Sequence, residues 1–154
     1  FEDPKYVSEA DFNKFRSRCD PRRNDVLIVS RGATIGRVCL VNTDRPFSLM
    51  GSVIQIRVNP QELSASYLAQ FLSTSYGQRE LLRTSGSSAQ QAIYLMHLKK
   101  LALNVPTIQE QDKMAEMLSA IDAQIFRGQK YRNECEKIKE VLLKMLLTGK
   151  VRLI

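Results

Sequence analysis

The sequence has few of the residues from which catalytic sites are built. Its single histidine, His97 in YLMHLKK, would have to be the base of any triad, yet nothing places a serine or cysteine nucleophile beside it. The three cysteines, Cys19, Cys39 and Cys135, are odd in number, widely spaced and without a CxxC pair. That pattern argues against a disulfide framework or a zinc site and fits thiols in a reducing cytoplasm. We therefore expect no catalytic residue and no metal site.

Motifs for nucleotide binding and for membrane association are also missing. No GxxxxGK[ST] motif occurs, and the GATIG segment, Gly32 to Gly36, has two of the three glycines of a dinucleotide loop at the wrong spacing. No clustered carboxylates suggest a metal-dependent nuclease. No apolar run reaches the roughly 18 residues of a membrane span, and the acidic start FEDPKYVSEADF does not resemble a secretory signal. These absences favour a non-catalytic binding protein that needs no cofactor and no membrane.

Positive charge is in excess, mainly in the first two thirds of the chain. The formal net charge is +7 and the pI is about 9.5. Residues 1–108 contain 14 Lys+Arg against 9 Asp+Glu, a balance of +5, and the remainder contributes +2. Such a balance suits a polyanionic partner such as nucleic acid. A basic surface that is merely solvated is the alternative.

Residues 1–106 have the pattern of a mixed α/β globule. Ser8-Glu9-Ala10-Asp11 has the form of a capping box and should open a short helix. Ser64 can cap a second helix, and a third helical piece is followed by a polar loop at residues 84–91. Segments rich in β-branched or alternating apolar residues predict four strands: Val26–Val29, Arg37–Val41, Ser52–Val58 and Leu101–Val105.

From Thr107 onwards the sequence predicts one long helix. Thr107-Ile108-Gln109-Glu110 has capping-box form, no proline follows, and Gly149 stands just past the expected end. The element is one helix of about 40 residues, on the order of 60 Å long, or two helices with a kink or hairpin at Gly128. The predicted fold is therefore α+β, with a globule at 1–106, a long helix at 107–149 and a short tail at 150–154.

An apolar stripe runs along this helix at spacings of three and four residues. A globule of only about 100 residues cannot cover so long a stripe, so the helix needs a partner helix, in the same protein or in another, with which it pairs as a coiled coil. The predicted partner-facing residues are Met114, Leu118, Ile121, Ile125, Cys135, Ile138, Leu142 and Met145.

Two stretches together resemble type I restriction–modification specificity subunits. Asn24-Asp25-Val26-Leu27-Ile28 with Gly32-Ala33-Thr34-Ile35-Gly36-Arg37 is similar to the "GD-[VI]-L-[IV]…G-x-x-[IV]-G-[KR]" segment of their target recognition domains, with Asn24 where that family usually has glycine. The stretch from Val105 to Asp122 is similar to the start of the family's spacer helix, "P-x-x-x-E-Q-x-x-I-A-x-x-L-x-x-[IL]-D". Leu142–Arg152 is similar to the end of that helix.

The resemblance implies a division of labour in a prokaryotic cytoplasm. The recognition domain reads one half of a two-part double-stranded DNA target, and the long helices pair antiparallel as a ruler. They also dock methyltransferase subunits, which carry S-adenosylmethionine and methylate adenine, while a separate restriction motor-nuclease subunit cleaves. A full-length subunit has two recognition domains and two spacer helices, and this chain has one of each. The resemblance therefore leads us to expect the C-terminal part of a longer subunit, or a truncated or half-sized one, whose helix could also mediate self-association.

Three segments are candidates for DNA contact. The turn between the first two strands offers donors and close backbone approach, since Arg31 or Arg37 can reach phosphate or pair bidentately with guanine. A plain hairpin with solvated arginines is an equally weighted alternative. The loop at 84–91 supplies amides suited to adenine, with a mobile linker as the equally weighted alternative. Two lysines add affinity without sequence preference. The candidate residues are Ser30, Arg31, Gly32, Thr34, Gly36, Arg37, Arg83, Ser85, Ser87, Ser88, Gln90, Gln91, Lys99 and Lys100.

Other interpretations stay open at this point. A basic run, Arg16, Arg18, Arg22 and Arg23, either flanks a duplex or is solvated. The competing class of function is a protein–protein adaptor, a small α/β domain on a coiled-coil stalk without nucleic acid. A third class is a hydrolase that uses His97 with a serine or cysteine.

Overall fold

The computed structural model describes residues 6–49, 51–83, 91–149 and 151. The chain divides into two units between Ala115 and Glu116. The described residues combine a small antiparallel sheet with helices, which confirms the predicted α+β class. In chain order the elements are α1 (Glu9–Arg16), β1 (Val26–Val29), β2 (Val38–Leu40), β3 (Val53–Ile56), α2 (Ala65–Ser73), α3 (Ser75–Arg83), α4 (Leu95–Leu98) and α5 (Ile108–Leu147).

The sheet formed by the described residues has three strands in the order β2-β1-β3, all antiparallel. In β1, Val26 pairs with Leu40 and Ile56 on its two sides, and Ile28 pairs with Val38 and Ile54. Both β1 side chains are fully buried, as expected of a central strand. The strands predicted from β-branched runs are therefore present, with β2 and β3 shorter than predicted.

The core of the first unit lies between this sheet and the helices α2 and α3. Leu68 and Leu72 of α2 and Leu81 of α3 are buried with Val26 and Ile28 of the central strand. Leu68 and Leu72 lie on the same face of α2, because residues three and four apart in a helix share one face.

Both predicted capping boxes have side-chain hydrogen bonds. At α1 the Ser8 hydroxyl accepts from the Asp11 amide at 3.2 Å and donates to the Asp11 carboxylate at 2.7 Å. At α5 the Glu110 carboxylate reaches back and accepts from the Thr107 amide at 3.0 Å and from the Thr107 hydroxyl at 2.7 Å. These bonds lower the pKa of Glu110.

Helix α5 is continuous over 40 residues, so the alternative of a break at Gly128 is wrong. At 1.5 Å per residue, the helix is about 60 Å long. It ends at Leu147, and Gly149 adopts a φ of +69° just past the end, as a C-terminal cap requires.

The predicted strand at Leu101–Val105 is wrong, because none of these residues lies in a strand. Leu101 and Leu103 pack on the core, while the residues between and after them are exposed. The alternation in the sequence therefore reflects alternating burial of the side chains and not pairing with a neighbouring strand. The one-turn helix α4 just before this segment was not predicted.

The first two turns of α5 belong to the first unit and are held by Gln111. Its side chain is fully buried, and its Oε1 accepts from the Ser64 amide at the start of α2, at 2.8 Å. Its Nε2 donates to the carbonyls of Glu62 at 3.1 Å and Pro106 at 2.8 Å. One amide thus satisfies backbone groups from two segments, and Ala115, one turn later, is also buried.

Candidate nucleic-acid interface

The turn between β1 and β2 closes tightly and holds its exposed residues in place. Val29 of β1 accepts from the Gly36 amide at 2.8 Å, and its own amide donates to the Arg37 carbonyl at 2.9 Å. Inside the loop, the Ile35 amide donates to the Gly32 carbonyl at 3.1 Å. Gly32 and Gly36 have φ values of +94° and +83°, which other residues adopt only with strain.

The two glycines of this turn have different surroundings. Gly36 is buried, and an added Cβ would lie 2.7 Å from Oε1 of Gln78 in α3. The Gln78 amide donates to the Gly36 carbonyl at 2.8 Å and to the Leu72 carbonyl at 2.7 Å, which ties the turn to α2 and α3. Gly32 is exposed, and nothing lies within 4 Å of its Cβ position. Of the two, Gly32 is therefore the one that an approaching ligand can reach.

Ser30 supports this end of the sheet. Its amide and its hydroxyl both donate to the Ser52 carbonyl, at 2.7 and 2.9 Å, and its carbonyl accepts from the Ile93 amide at 2.9 Å. Only 8% of the surface of Ser30 is exposed, and its hydroxyl is used in a hydrogen bond within the protein. Direct contact between Ser30 and DNA stays a prediction. In this conformation the hydrogen bonds of Ser30 hold the backbone next to Arg31 in place.

The chain after the polar loop returns to the same end of the sheet. Arg31 forms an isolated antiparallel bridge with Ala92, next to the Ser30–Ile93 hydrogen bond. Two segments that the sequence suggested independently, the β1–β2 turn and the region near Gln91, therefore share one surface. The guanidinium of Arg31 lies over the ring of Tyr94, 5.7 Å from its centroid.

Most of the predicted DNA-contacting residues that the structure describes are exposed, and the remainder divide into distinct cases. Arg83 is exposed but forms an ion pair with Glu80 of the same helix at 2.9 Å. Ser85, Ser87, Ser88 and Gln90 lie outside the described residues. Besides Arg83, the exposed residues are Arg31, Gly32, Thr34, Arg37, Gln91, Lys99 and Lys100.

The basic run near α1 is largely neutralised by carboxylates within the globule. Asp20 forms ion pairs with Arg16 and Arg22, and hydrogen bonds from these two guanidinium groups lower the pKa of Asp20. Arg23 makes a bidentate pair with Asp44, with its Nη2 at 2.7 Å from Oδ2, and the pKa of Asp44 is lowered. This run is therefore better explained as internal stabilisation than as a DNA-flanking surface.

A polar cluster around Asp25 occupies the other end of the sheet and was not foreseen from the sequence. Asp25 is 1% exposed and accepts from Arg57 Nε at 2.8 Å, Gln55 Nε2 at 2.6 Å and the Arg22 amide at 2.7 Å. Burial alone would raise the pKa of Asp25, but these hydrogen bonds outweigh it and the pKa is lowered. The strand register explains this cluster. Because Val26 pairs with Ile56 in an antiparallel pair, Arg57 lies beside Asp25.

A cleft of about 530 Å³ lies beside this cluster, within the first unit. Its walls include Arg22, Arg23, Arg57, Ser64 and Asp112. The three arginines are each paired with a carboxylate, so the cleft offers less uncompensated charge than the opposite end of the sheet.

The predicted partner face of α5 is open to solvent in this chain. Leu118, Ile121 and Ile125 are 44–52% exposed, and Ile138, Leu142 and Met145 are 39–60% exposed. Cys135 and Met114 are exposed as well. Half-exposed apolar side chains in one helix indicate a surface that another element covers. Whether these residues contact a partner stays a prediction.

Within the described residues, no group of three or more histidine, cysteine or acidic side chains is arranged to hold a metal ion. In the same part of the chain, no helix combines the length and apolar character needed to cross a membrane.

Comparison with known proteins identifies the family. A family model for the type I restriction modification DNA specificity domain matches residues 5–136, and the chain belongs to this family. The resemblance found in the sequence is thereby confirmed.

Two curated relatives are an archaeal and a bacterial protein. Over 155 residues the chain is 26% identical to the type I restriction enzyme MjaVIII specificity subunit of Methanocaldococcus jannaschii, covering 99% of this chain and 36% of the relative. Over 119 residues it is 28% identical to the type I restriction enzyme EcoBI specificity subunit of Escherichia coli, covering 77% of this chain and 24% of the relative. The chain spans about a third or less of the length of these relatives.

Proposed function

We propose that this chain is the DNA-reading part of a type I specificity subunit and contacts one half of a two-part target. The observation that carries the proposal is the family match over residues 5–136. The contact surface is the end of the sheet where the β1–β2 turn meets the segment after residue 91, which we call the turn surface. It comprises the exposed residues Arg31, Gly32, Thr34, Arg37 and Gln91, and we add the exposed Lys99 and Lys100 from further along the same segment as general electrostatic contacts.

Charge supports the choice of the turn surface. Among the described residues, neither Arg31 nor Arg37 forms an ion pair with a carboxylate, whereas five other arginines of the globule do. A guanidinium without an internal acidic partner keeps its donors for phosphate or for a base edge. Arg31 and Arg37 are therefore better suited to DNA than the paired arginines near α1, Arg16, Arg22 and Arg23.

The chain itself would be non-catalytic. Its α5 stripe would dock methyltransferase subunits and pair with a second helix, from another part of the same subunit or from a second copy. A restriction motor-nuclease subunit would join these components in the full complex. Two copies related by a twofold axis would recognise a palindromic target, whereas two different recognition domains would not.

Methylation mapping tests the proposed DNA reading. The full-length gene is expressed with its neighbouring methyltransferase gene in a host without adenine methylation, and modified adenines are located by single-molecule sequencing. We expect a split motif that disappears when the gene for this chain is deleted. If both proteins are expressed and folded and no motif appears, the DNA-reading proposal is wrong and the adaptor function is favoured.

The α5 stripe is tested by a matched pair of charge substitutions. Ile121→Asp places a carboxylate on the stripe, and Ala123→Asp places the same group about 200° around the helix, at an equally exposed position. Co-purification with the methyltransferase subunit should be lost for Ile121→Asp and retained for Ala123→Asp. If Ile121→Asp assembles normally, the stripe is not the docking surface.

A further inference from the structure

The contact between Arg31 and Tyr94 joins a charged group of the turn surface to an aromatic ring. The guanidinium carbon lies over the Tyr94 ring at 5.7 Å from its centroid, within the range of a cation–π interaction. The backbones that carry the two side chains are linked as well. Arg31 bridges Ala92, and the Ile93 amide donates to the Ser30 carbonyl at 2.9 Å.

This arrangement restricts a side chain that would otherwise be mobile. An exposed arginine samples many rotamers, and that freedom is lost when it binds a base edge. An aromatic ring under the guanidinium favours a smaller set of rotamers while the N–H donors at the edge of the plane stay available. Tyr94 is 46% exposed, so the pair lies at the surface where a duplex can reach it.

The surroundings of Arg31 fit a base-reading role better than a structural one. Structural arginines of this globule, such as Arg57 on Asp25 and Arg23 on Asp44, hold carboxylates. Within the described residues, Arg31 holds none and instead lies against an aromatic face. An arginine fork that is oriented but not neutralised matches the two acceptors, O6 and N7, that guanine presents in the major groove.

We propose that Tyr94 is a positioning residue that holds Arg31 for bidentate donation to a guanine of the half-target. This inference rests on the proposed DNA-reading function and adds a specific residue pair and a specific base. It predicts that the target half read by this chain contains at least one G·C pair whose recognition depends on both side chains.

The test compares Tyr94→Phe, Tyr94→Leu and Arg31→Lys in the assembled complex of full-length subunit and methyltransferase. Binding is measured on a panel of duplexes in which each base pair of the mapped motif is replaced in turn. Tyr94→Phe keeps the ring face and should retain discrimination within about twofold. Tyr94→Leu and Arg31→Lys should lose about tenfold or more of discrimination at the same single G·C position. Lys99→Ala serves as a comparison and should weaken all duplexes alike.

Several results would overturn the inference. They are uniform weakening across the panel by Tyr94→Leu, equal losses for Tyr94→Phe and Tyr94→Leu, and unchanged discrimination in Arg31→Lys. If Tyr94→Leu does not fold, Tyr94→Met takes its place, because methionine also removes the ring and must relax the same G·C position as Arg31→Lys. A wild-type complex without any defined motif would refute the DNA-reading function itself, whereas an intact motif with unaffected variants would refute only the role of this pair.

Discussion

Gln111 offers a direct test of how α5 is fixed to the globule. Replacing it with methionine preserves the length and flexibility of the side chain but removes one acceptor and two donors. The Ser64 amide and the carbonyls of Glu62 and Pro106 would then lose their partner. Each backbone group left unpaired in a buried site costs about 1–3 kcal/mol, and water can satisfy the exposed Glu62 carbonyl. The two groups that remain unpaired, the Ser64 amide and the Pro106 carbonyl, together give an expected loss of about 2–6 kcal/mol of the free energy of unfolding.

Urea denaturation of the 154-residue chain, followed by far-ultraviolet circular dichroism, measures this loss. The control is Gln109→Met, which changes the same side chain two residues earlier at an exposed position. Hydrogen exchange adds a local readout, because the Ser64 amide should exchange faster in Gln111→Met only. A loss below about 0.5 kcal/mol, or an equal loss in the control, would refute the reasoning.

Three further predictions concern the globule. Asp25→Asn should lower the free energy of unfolding by about 2–4 kcal/mol at pH 7. Despite burial, hydrogen bonds hold the pKa of Asp25 in the folded chain below its value in the unfolded chain, about 3.9, so the carboxylate stabilises the fold above that pH. This stabilisation is lost as the pH falls through the pKa of the folded state. In urea denaturation from pH 7 to pH 3 the variant should therefore have a flatter stability profile than wild type, and parallel profiles would contradict this. Gly36→Ala should destabilise the chain by at least about 1 kcal/mol more than Gly32→Ala. Both glycines have positive φ, but only at Gly36 must the Gln78 amide move, and that breaks its hydrogen bonds to the Gly36 and Leu72 carbonyls; equal melting losses would be the contrary result. At pH 8, iodoacetamide should modify Cys39 about tenfold or more faster than Cys19, because burial and the nearby Asp25 raise the pKa of the Cys19 thiol. Mass spectrometry follows both reactions, and equal rates would count against this environment of Cys19.

Local signals in the sequence were sufficient for much of the fold. The Ser8 box, the Val26–Val29 run and the uninterrupted stretch after Thr107 each predicted an element at its observed place. These signals work because capping, β-branching and the absence of proline act within a few residues. Strand pairing acts over longer distances, so the alternation at Leu101–Val105 looked like a strand although no other strand pairs with it among the described residues.

The candidate site was predictable as separate segments but not as a surface. Nothing local indicates that Ala92 bridges Arg31, because the two are distant in the chain and meet only in the folded sheet. Tyr94 was therefore overlooked, although an aromatic residue beside a polar loop and two lysines was a usable signal. For the same reason, the sequence alone suggests Ser30 as a DNA donor, whereas in the fold its hydroxyl donates to the Ser52 carbonyl.

The anchoring of the chain on both sides of residues 84–91 has a consequence for how such proteins evolve. Arg83 ends a helix whose Leu81 is buried, and Ala92, itself buried, is fixed to the central hairpin. Leu81 is held in the core and Ala92 by its bridge to Arg31, so each anchor is fixed by its own contacts with the globule. Under the proposed DNA-reading function, a change of target through this stretch would leave both anchors in place, and methylation and restriction would then change together because both follow the same recognition.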